Sequence, residues 1–194
     1  MANKDKYGDF DELRQGENTG SYRICLVRAE GSDTAIIAPH GGKIEKMTSE
    51  LAKSIAGRNY HLYQFEGLKK FGNRDLHITS TNFDEPQAIT LITECSIIVT
   101  VHGLGNNGHR IKVGGLDHEL GNRINNQLLE ARFVSNIVTA GKYAGMDEAN
   151  ICNRGLLSQG VQLEIERGLR ESLKSDAVKF RRFTTAVRNA IENS

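Results

Sequence analysis

The sequence predicts a single α/β domain built on a mostly parallel, mixed sheet that is flanked by helices on both faces. Short apolar runs alternate with stretches of helical periodicity, and the connections between the runs are too long for hairpins. The length of 194 residues is enough for one buried core and falls short of two average domains. We therefore expect one domain over residues 1–194, in which residues 1–20 form a polar N-terminal extension.

The order of the predicted elements indicates where a ligand would bind. Apolar runs and strict alternation predict strands at residues 21–28, 34–38, 60–65, 96–101, 112–114, 134–139 and 160–166. Helical spacing predicts helices at residues 44–56, from 84 to about 95, after residue 117, and twice near the C-terminus. In sheets of this type, ligands collect at the carboxyl ends of the strands.

The overall charge excludes a general attraction to polyanionic surfaces. The chain carries 25 lysine and arginine residues against 24 acidic ones, a net charge of +1. Such a balance gives no global field toward nucleic acid or membranes, so we expect neither as a partner. The sequence has neither an apolar signal-peptide core nor a run of about 18 apolar residues, so we expect a cytoplasmic protein. We also expect a monomer.

Two histidines share one local context. His40 follows the apolar run 34–38 and precedes glycine, and His102 follows the run 96–101 and also precedes glycine. Both side chains should therefore project from the carboxyl edge of the same sheet. Glu45 lies five residues after His40, in the first turn of the predicted helix, close enough to fold back toward the imidazole. Two imidazoles and one carboxylate form a known catalytic zinc set with an open position for water.

Spacing alone leaves a second interpretation open. A histidine at a strand end is often a hydrogen-bonded structural residue, and Glu45 is equally suited to stabilise the helix N-terminus.

Six ordered segments favour the metal interpretation. They are APHGGKIEKMTSELAKSIAG, LYQFEG, LHITSTNFDEP, VHGLG, VGGLD and NICNRGLLSQGVQLEIERGLR, and together they cover roughly residues 35–170. In combination they resemble the phage-type poly-gamma-glutamate hydrolase family. The resemblance implies a compact, carboxypeptidase-like fold with zinc as cofactor. It also places the zinc ligands on His40, Glu45 and His102.

An amide hydrolase also needs a carboxylate that is not bound to the metal. In the strand GVQLEIE, Glu164 and Glu166 share the polar face, so alternation cannot separate them. The resemblance matches Glu164 to the general base of carboxypeptidase-like enzymes. Either carboxylate could instead face solvent or pair with an arginine.

Three further residues are candidates for substrate binding. Arg154 lies in the loop that leads to the Glu164 strand, and Arg110 follows the glycine- and asparagine-rich turn after His102. A planar guanidinium suits the carboxylate beside each gamma-glutamyl amide. His77, in a polar stretch, is predicted to contact substrate or a metal ligand, with a structural role as the alternative.

The predicted function is zinc-dependent hydrolysis of gamma-glutamyl amide bonds in poly-gamma-glutamate, with Glu164 as general base. The resemblance implies a phage or prophage protein that degrades a capsule after host lysis releases it, which would need no signal peptide. The alternatives are a zinc carboxypeptidase or N-acyl amino acid deacylase on the same scaffold, and a non-catalytic module that binds a polyanion.

Overall fold

The computed structural model describes residues 5–192, which form seven strands and six α-helices. The strands are β1 (Tyr22–Val27), β2 (Thr34–Gly42), β3 (His61–Gly67), β4 (Ile97–Leu104), β5 (Arg110–Gly114), β6 (Val134–Ile137) and β7 (Val161–Glu166). The helices are α1 (Phe10–Gly16), α2 (Thr48–Ala56), α3 (Pro86–Ile92), α4 (His118–Glu130), α5 (Arg167–Ser175) and α6 (Ala177–Glu192). Short 3-10 helices occupy Asn73–Leu76 and Ile151–Asn153.

All seven strands belong to one sheet, in the order β1-β3-β2-β4-β7-β5-β6. Strand β2 pairs in parallel with β3 and β4, β4 with β7, and β5 with β6. The pairs β1–β3 and β5–β7 are antiparallel. The predicted mostly parallel, mixed sheet is therefore confirmed.

Helices cover both faces of this sheet. The core on one face contains Leu51 of α2, Leu120 of α4 and Phe183 of α6, all fully buried. The core on the other face contains Leu13 of α1 and Leu91 of α3. The prediction of helices on both faces is confirmed as well.

Two strands extend further than their apolar runs predict. Strand β2 continues to Gly42, with a shift of register between Ala38 and Gly41, and β4 continues to Leu104. Pairing of β2 with β3 is interrupted at Pro39 and His40 and resumes at Gly41, while β4 stays paired with β7 to Leu104, because ladder hydrogen bonds do not depend on side-chain hydrophobicity. The two candidate histidines therefore lie within their strands, near the carboxyl ends, rather than after them.

The N-terminal segment contributes to the core. Residues 1–4 lie outside the described part of the chain, but residues 10–16 form α1. The side chain of Asp9 caps this helix by accepting from the backbone N–H of Glu12 at 2.8 Å, while Phe10 and Leu13 are buried. The expected polar extension thus contains a packed helix. A helix of seven residues with only two large apolar side chains is too short for its periodicity to be recognised in the sequence. Within residues 5–192, no helix combines the length and hydropathy needed to cross a membrane.

Candidate metal centre

His40 and His102 converge at the edge shared by β2 and β4. These strands are parallel neighbours, so their carboxyl ends meet at the same side of the sheet. The Nδ1 atoms of the two imidazoles lie 3.2 Å apart. Both residues are buried, with 1% and 2% of their surface exposed. The structure therefore brings together the two histidines that the sequence pairs by context.

Glu45 completes the cluster from the turn after β2. Its Oε2 lies 3.5 Å from Nδ1 of His40 and 4.0 Å from Nδ1 of His102. The same oxygen accepts a 2.7 Å hydrogen bond from the backbone N–H of Gly103. The predicted position of Glu45 in the first turn of a helix is wrong, because α2 begins only at Thr48. A turn in which the N–H of Glu45 donates to the carbonyl of His40 at 2.9 Å directs the carboxylate back to the strand.

The hydrogen bonds of His40 indicate which of its nitrogens faces the cluster. Its Nε2 lies 2.7 Å from the carbonyl oxygen of Ile78, and a carbonyl only accepts, so Nε2 carries the hydrogen. The lone pair on Nδ1 is then directed at Nδ1 of His102 and Oε2 of Glu45. A carbonyl partner on the outer nitrogen is the arrangement that commonly orients a metal-bound histidine.

The separations within this cluster suit a small cation. Zinc binds imidazole nitrogen at about 2.0–2.1 Å, so tetrahedral ligands stand roughly 3.3 Å apart. The three distances among His40, Glu45 and His102 are 3.2, 3.5 and 4.0 Å. Nε2 of His102 has no hydrogen-bond partner among the described residues, so two tautomers fit this arrangement: with its hydrogen on Nδ1 the ring donates to His40, and with its hydrogen on Nε2 all three atoms can bind one cation. These residues therefore fit a divalent metal ion.

The electrostatics of the cluster keep it in the protonation state that a metal requires. Burial alone would raise the pKa of Glu45, but positive charge on the neighbouring imidazoles, led by His40, outweighs it and holds this pKa at about 2, so the site favours the ionised carboxylate when positive charge lies beside it. Burial, helped by the proximity of His40, lowers the pKa of His102 to about 4. At neutral pH the carboxyl group is therefore ionised and the His102 imidazole is neutral, as metal ligands must be.

His77 stands beside the cluster and offers a second grouping. His40, Glu45 and His77 also have ligand atoms within 4.8 Å of one another. However, the rings of His77 and His40 are stacked, with centroids 3.9 Å apart and an angle of 25° between their planes. An imidazole lone pair lies in the ring plane, so nearly parallel rings direct their lone pairs side by side rather than at one ion. The geometry favours His102 over His77 as the third ligand.

Glu164 lies beside the cluster, on the strand next to that of His102. In the ladder it lies directly beside His102 of β4 on one side and Lys112 of β5 on the other. Burial, followed by the negative charge of Glu45, raises the pKa of Glu164 to about 8. A carboxyl group whose pKa lies near neutrality is suited to take up and release a proton at working pH.

Glu166, the other carboxylate on this strand, is occupied elsewhere. Its oxygens accept from the side-chain amide of Asn106 and, at 2.7 Å, from the backbone N–H of Arg110. These contacts brace the loop between β4 and β5. Two positions that sequence alternation could not separate thus have different surroundings.

A cavity of about 1340 Å³ opens above the cluster and includes His40, Glu45, His77, His102 and Glu164 in its lining. The two arginines predicted to bind substrate are absent from this lining. The guanidinium of Arg154 donates to the carbonyl of Phe83 at 3.0 Å, and Arg110 uses its backbone N–H to hold Glu166. Their role in substrate binding stays a prediction that the structure does not support with a contact.

Other cations line the cavity instead. Among the described residues they are Arg23, Lys43, Lys46, Arg74, Lys142, Arg167, Arg170 and Lys174. Most lie in loops or on helix surfaces, where no periodic pattern of the sequence distinguishes them from solvent-facing residues.

Arg170 is the best-defined of these cations. Its buried guanidinium donates to the backbone carbonyls of Lys46, Leu104 and Ile165. Arg170 thereby links the turn that follows Glu45 to the end of the His102 strand. The space it occupies exists because residue 103 is glycine, since an added Cβ would lie 2.5 Å from the guanidinium carbon.

The sheet, the cavity at its strand ends and the histidine–glutamate cluster define a carboxypeptidase-like α/β fold with a candidate metal centre. The chain belongs to the poly-gamma-glutamate hydrolase family, whose sequence profile matches residues 7–192. The family suggested by the six sequence segments is therefore confirmed.

Relatives and solved structures agree with this assignment. The prophage-derived protein YoqZ of Bacillus subtilis is 38% identical over 97% of this chain, which spans 66% of YoqZ. YndL of the same organism is 34% identical, covering 98% of this chain and 79% of YndL.

A solved bacteriophage poly-gamma-glutamate hydrolase superposes with a TM-score of 0.92 at 30% identity, covering 98% of both chains. A structure of YndL described as apo and zinc-free gives the same TM-score at 34% identity, again over 98% of each chain.

Proposed function

We propose that this chain is a zinc-dependent hydrolase that cleaves gamma-glutamyl amide bonds of poly-gamma-glutamate. The observation that carries the proposal is the convergence of three potential metal-ligand atoms, from His40, Glu45 and His102, on one point of the cavity beside a protonatable Glu164. Membership of the poly-gamma-glutamate hydrolase family supports the substrate class. The zinc-free description of the YndL structure supports the choice of metal.

His40, Glu45 and His102 would hold the metal. Zinc in such a site supplies a water molecule of lowered pKa and a Lewis acid for the amide carbonyl. The hydrogen bond from Nε2 of His40 to Ile78 fixes the orientation of one ligand. The hydrogen bond from Gly103 fixes the carboxylate of Glu45.

Glu164 is the proposed general base. Its place in the ladder beside His102 and in the cavity lining supports a carboxyl group that reaches the substrate without binding the metal. Acting as a base, it takes the proton of the attacking water. It then donates that proton to the departing amine, which cannot leave as an anion. Its neighbour Lys112 adds a positive charge that lowers the pKa of Glu164 and so opposes the effect of burial.

The cavity also suits a polyanionic chain. Although the net charge of the protein is only +1, the described cavity lining has eight lysine and arginine residues against six aspartate and glutamate residues, and Lys46, Lys142 and Lys174 are exposed there. Local positive charge can attract a polyanion without a large global field.

The test measures polymer length and metal content together. Purified protein is stripped with a chelator, and the size distribution of poly-gamma-glutamate is followed before and after zinc is restored. We expect cleavage only with zinc, and a fall of about 10²–10⁴-fold in the Glu164→Gln variant, which should still bind zinc. Full hydrolysis by the stripped protein or by Glu164→Gln would contradict the mechanism. Release of single residues from one end would instead favour a carboxypeptidase activity, and zinc binding without cleavage would favour a binding module.

A further inference from the structure

The chain before helix α1 reaches the candidate metal centre through Asp5. The Oδ1 atom of Asp5 lies 2.8 Å from Nδ1 of His77. The Oδ2 atom accepts from both the backbone N–H and the hydroxyl of Thr79, at 2.6 and 2.7 Å. The Asp5 side chain is only 14% exposed. The guanidinium of Arg74 also donates to Oδ1 at 3.5 Å, so both oxygens are engaged by the segment that carries Arg74, His77 and Thr79.

Several contacts fix this N-terminal segment against the body of the protein. Lys6 and the hydroxyl of Tyr7 donate to Glu17 at 3.2 and 2.9 Å. The backbone N–H of Phe10 donates to Asp84 at 2.7 Å, and the Phe10 side chain is buried. These contacts hold the segment that carries Asp5 in place, and so fix the position of Asp5 beside His77.

The contact with Asp5 determines which nitrogen of His77 faces the cavity. An ionised carboxylate only accepts, so Nδ1 of His77 carries the hydrogen and Nε2 keeps its lone pair. This Nε2 lies 3.9 Å from Oε1 of Glu45, while the ring stacks on His40. His77 lines the cavity, and no residue within 5–192 forms a hydrogen bond with its Nε2 that would withdraw it from a ligand.

We propose that Asp5 is a positioning residue for the hydrolysis proposed above, on which this inference rests. Asp5 holds the His77 ring so that Nε2 accepts a hydrogen bond from an amide N–H of the gamma-glutamyl chain beside Glu45. His77 contacts the substrate, and Asp5 acts through His77. For histidines that bind a metal, loss of the carboxylate that orients them costs about 10–100-fold in affinity or activity, and we expect an effect of that order for this substrate-contacting histidine.

A double-mutant cycle tests this coupling. Asp5→Ala and His77→Ala should each lower kcat/KM for poly-gamma-glutamate by about 10–100-fold, with zinc content unchanged. If Asp5 acts through His77, the double variant should lose no more than His77→Ala alone. Asp5 also contacts Arg74 and Thr79 of the cavity lining, and a loss carried by either of these contacts would add to that of His77→Ala. Losses that multiply in the double variant would overturn the inference, as would wild-type kinetics in Asp5→Ala.

Two further variants separate positioning from folding. Lys6→Gln is the matched control, because Lys6 anchors the same segment through Glu17 without touching His77, and it should keep kcat/KM within about twofold. Asp5→Asn keeps the size of the side chain and one acceptor, so it should recover part of the activity lost in Asp5→Ala even if the alanine variant folds poorly. An Asp5→Asn protein no more active than a folded Asp5→Ala would contradict the positioning role of Asp5.

Failure of the wild-type protein to cleave the polymer would overturn the proposed function and this inference together. Wild-type kinetics in Asp5→Ala would overturn the inference alone.

Discussion

The backbone N–H of Gly103 donates a 2.7 Å hydrogen bond to Oε2 of Glu45, which links two residues that are 58 positions apart. Gly103 directly follows His102, and Glu45 belongs to the turn after the His40 strand. This bond therefore connects the segments that carry the three proposed metal ligands. Arg170 packs over the same glycine and links the two segments by donating to the carbonyls of Lys46 and Leu104.

The first prediction concerns this glycine. A side chain at residue 103 would displace the Arg170 guanidinium, so Gly103→Ala should loosen the Glu45 carboxylate and weaken zinc binding by about 10–100-fold. Zinc affinity can be measured by competition with a chromogenic chelator. Gly105→Ala is the matched control, because a Cβ there meets nothing within 4 Å. Equal zinc affinity in the two variants would contradict the proposed role of Gly103.

The second prediction concerns metal and stability. A ligand that binds only the folded state stabilises it by about 2.7 kcal/mol at 100 times its Kd. Zinc should therefore raise the midpoint of thermal unfolding of the stripped wild-type protein. His102→Ala should abolish this rise, whereas His118→Ala, at an exposed position that starts α4, should retain it. A zinc-induced rise that survives in His102→Ala would exclude His102 as a ligand.

The third prediction concerns pH and the zinc-free protein. Burial and the charge of Glu45 raise the pKa of Glu164 from 4.5 to about 8 on folding. Between these values the unfolded chain loses the proton while the folded protein keeps it, so the free energy of unfolding decreases as pH rises. Glu164→Gln removes this titration. From pH 5 to pH 8 it should gain on the order of 1–3 kcal/mol relative to wild type.

Urea unfolding of both zinc-free proteins at these two pH values provides the measurement. Glu45 and His102 have lowered pKa values, so their contributions are lost as pH falls rather than as it rises. They are present in both proteins and largely cancel in the comparison. Parallel stability profiles for the two proteins would show that Glu164 titrates normally.

The fourth prediction concerns the substrate cations. The Arg154 guanidinium donates to Phe83 outside the cavity lining, so Arg154→Gln should leave KM for the polymer within about twofold. Lys142→Gln removes an exposed charge at the cavity and should raise KM severalfold, more at low salt than at high salt. A large rise in KM for Arg154→Gln alone would restore the role that the sequence suggested for it.

Much of this architecture could be predicted from the sequence. Period-two alternation identified β7, and the apolar runs identified β2 and β4, because burial on both faces of a parallel sheet requires continuous apolar side chains. The shared strand-end context of His40 and His102 indicated neighbours, and their Nδ1 atoms are 3.2 Å apart. Glu45 required the family resemblance, since its contacts depend on a turn that helical periodicity misassigned.

The sequence by itself determined the fold class, the family and the meeting of two histidines at one sheet edge, because these follow from local periodicity and from ordered motifs. Only the tertiary structure decided that Glu164 rather than Glu166 faces the cavity, that Arg154 lies outside the lining, and that Asp5 holds His77. These relationships join residues far apart in the chain through hydrogen bonds of single side chains. No periodic pattern encodes such contacts, so they become visible only when the sheet brings the loops together.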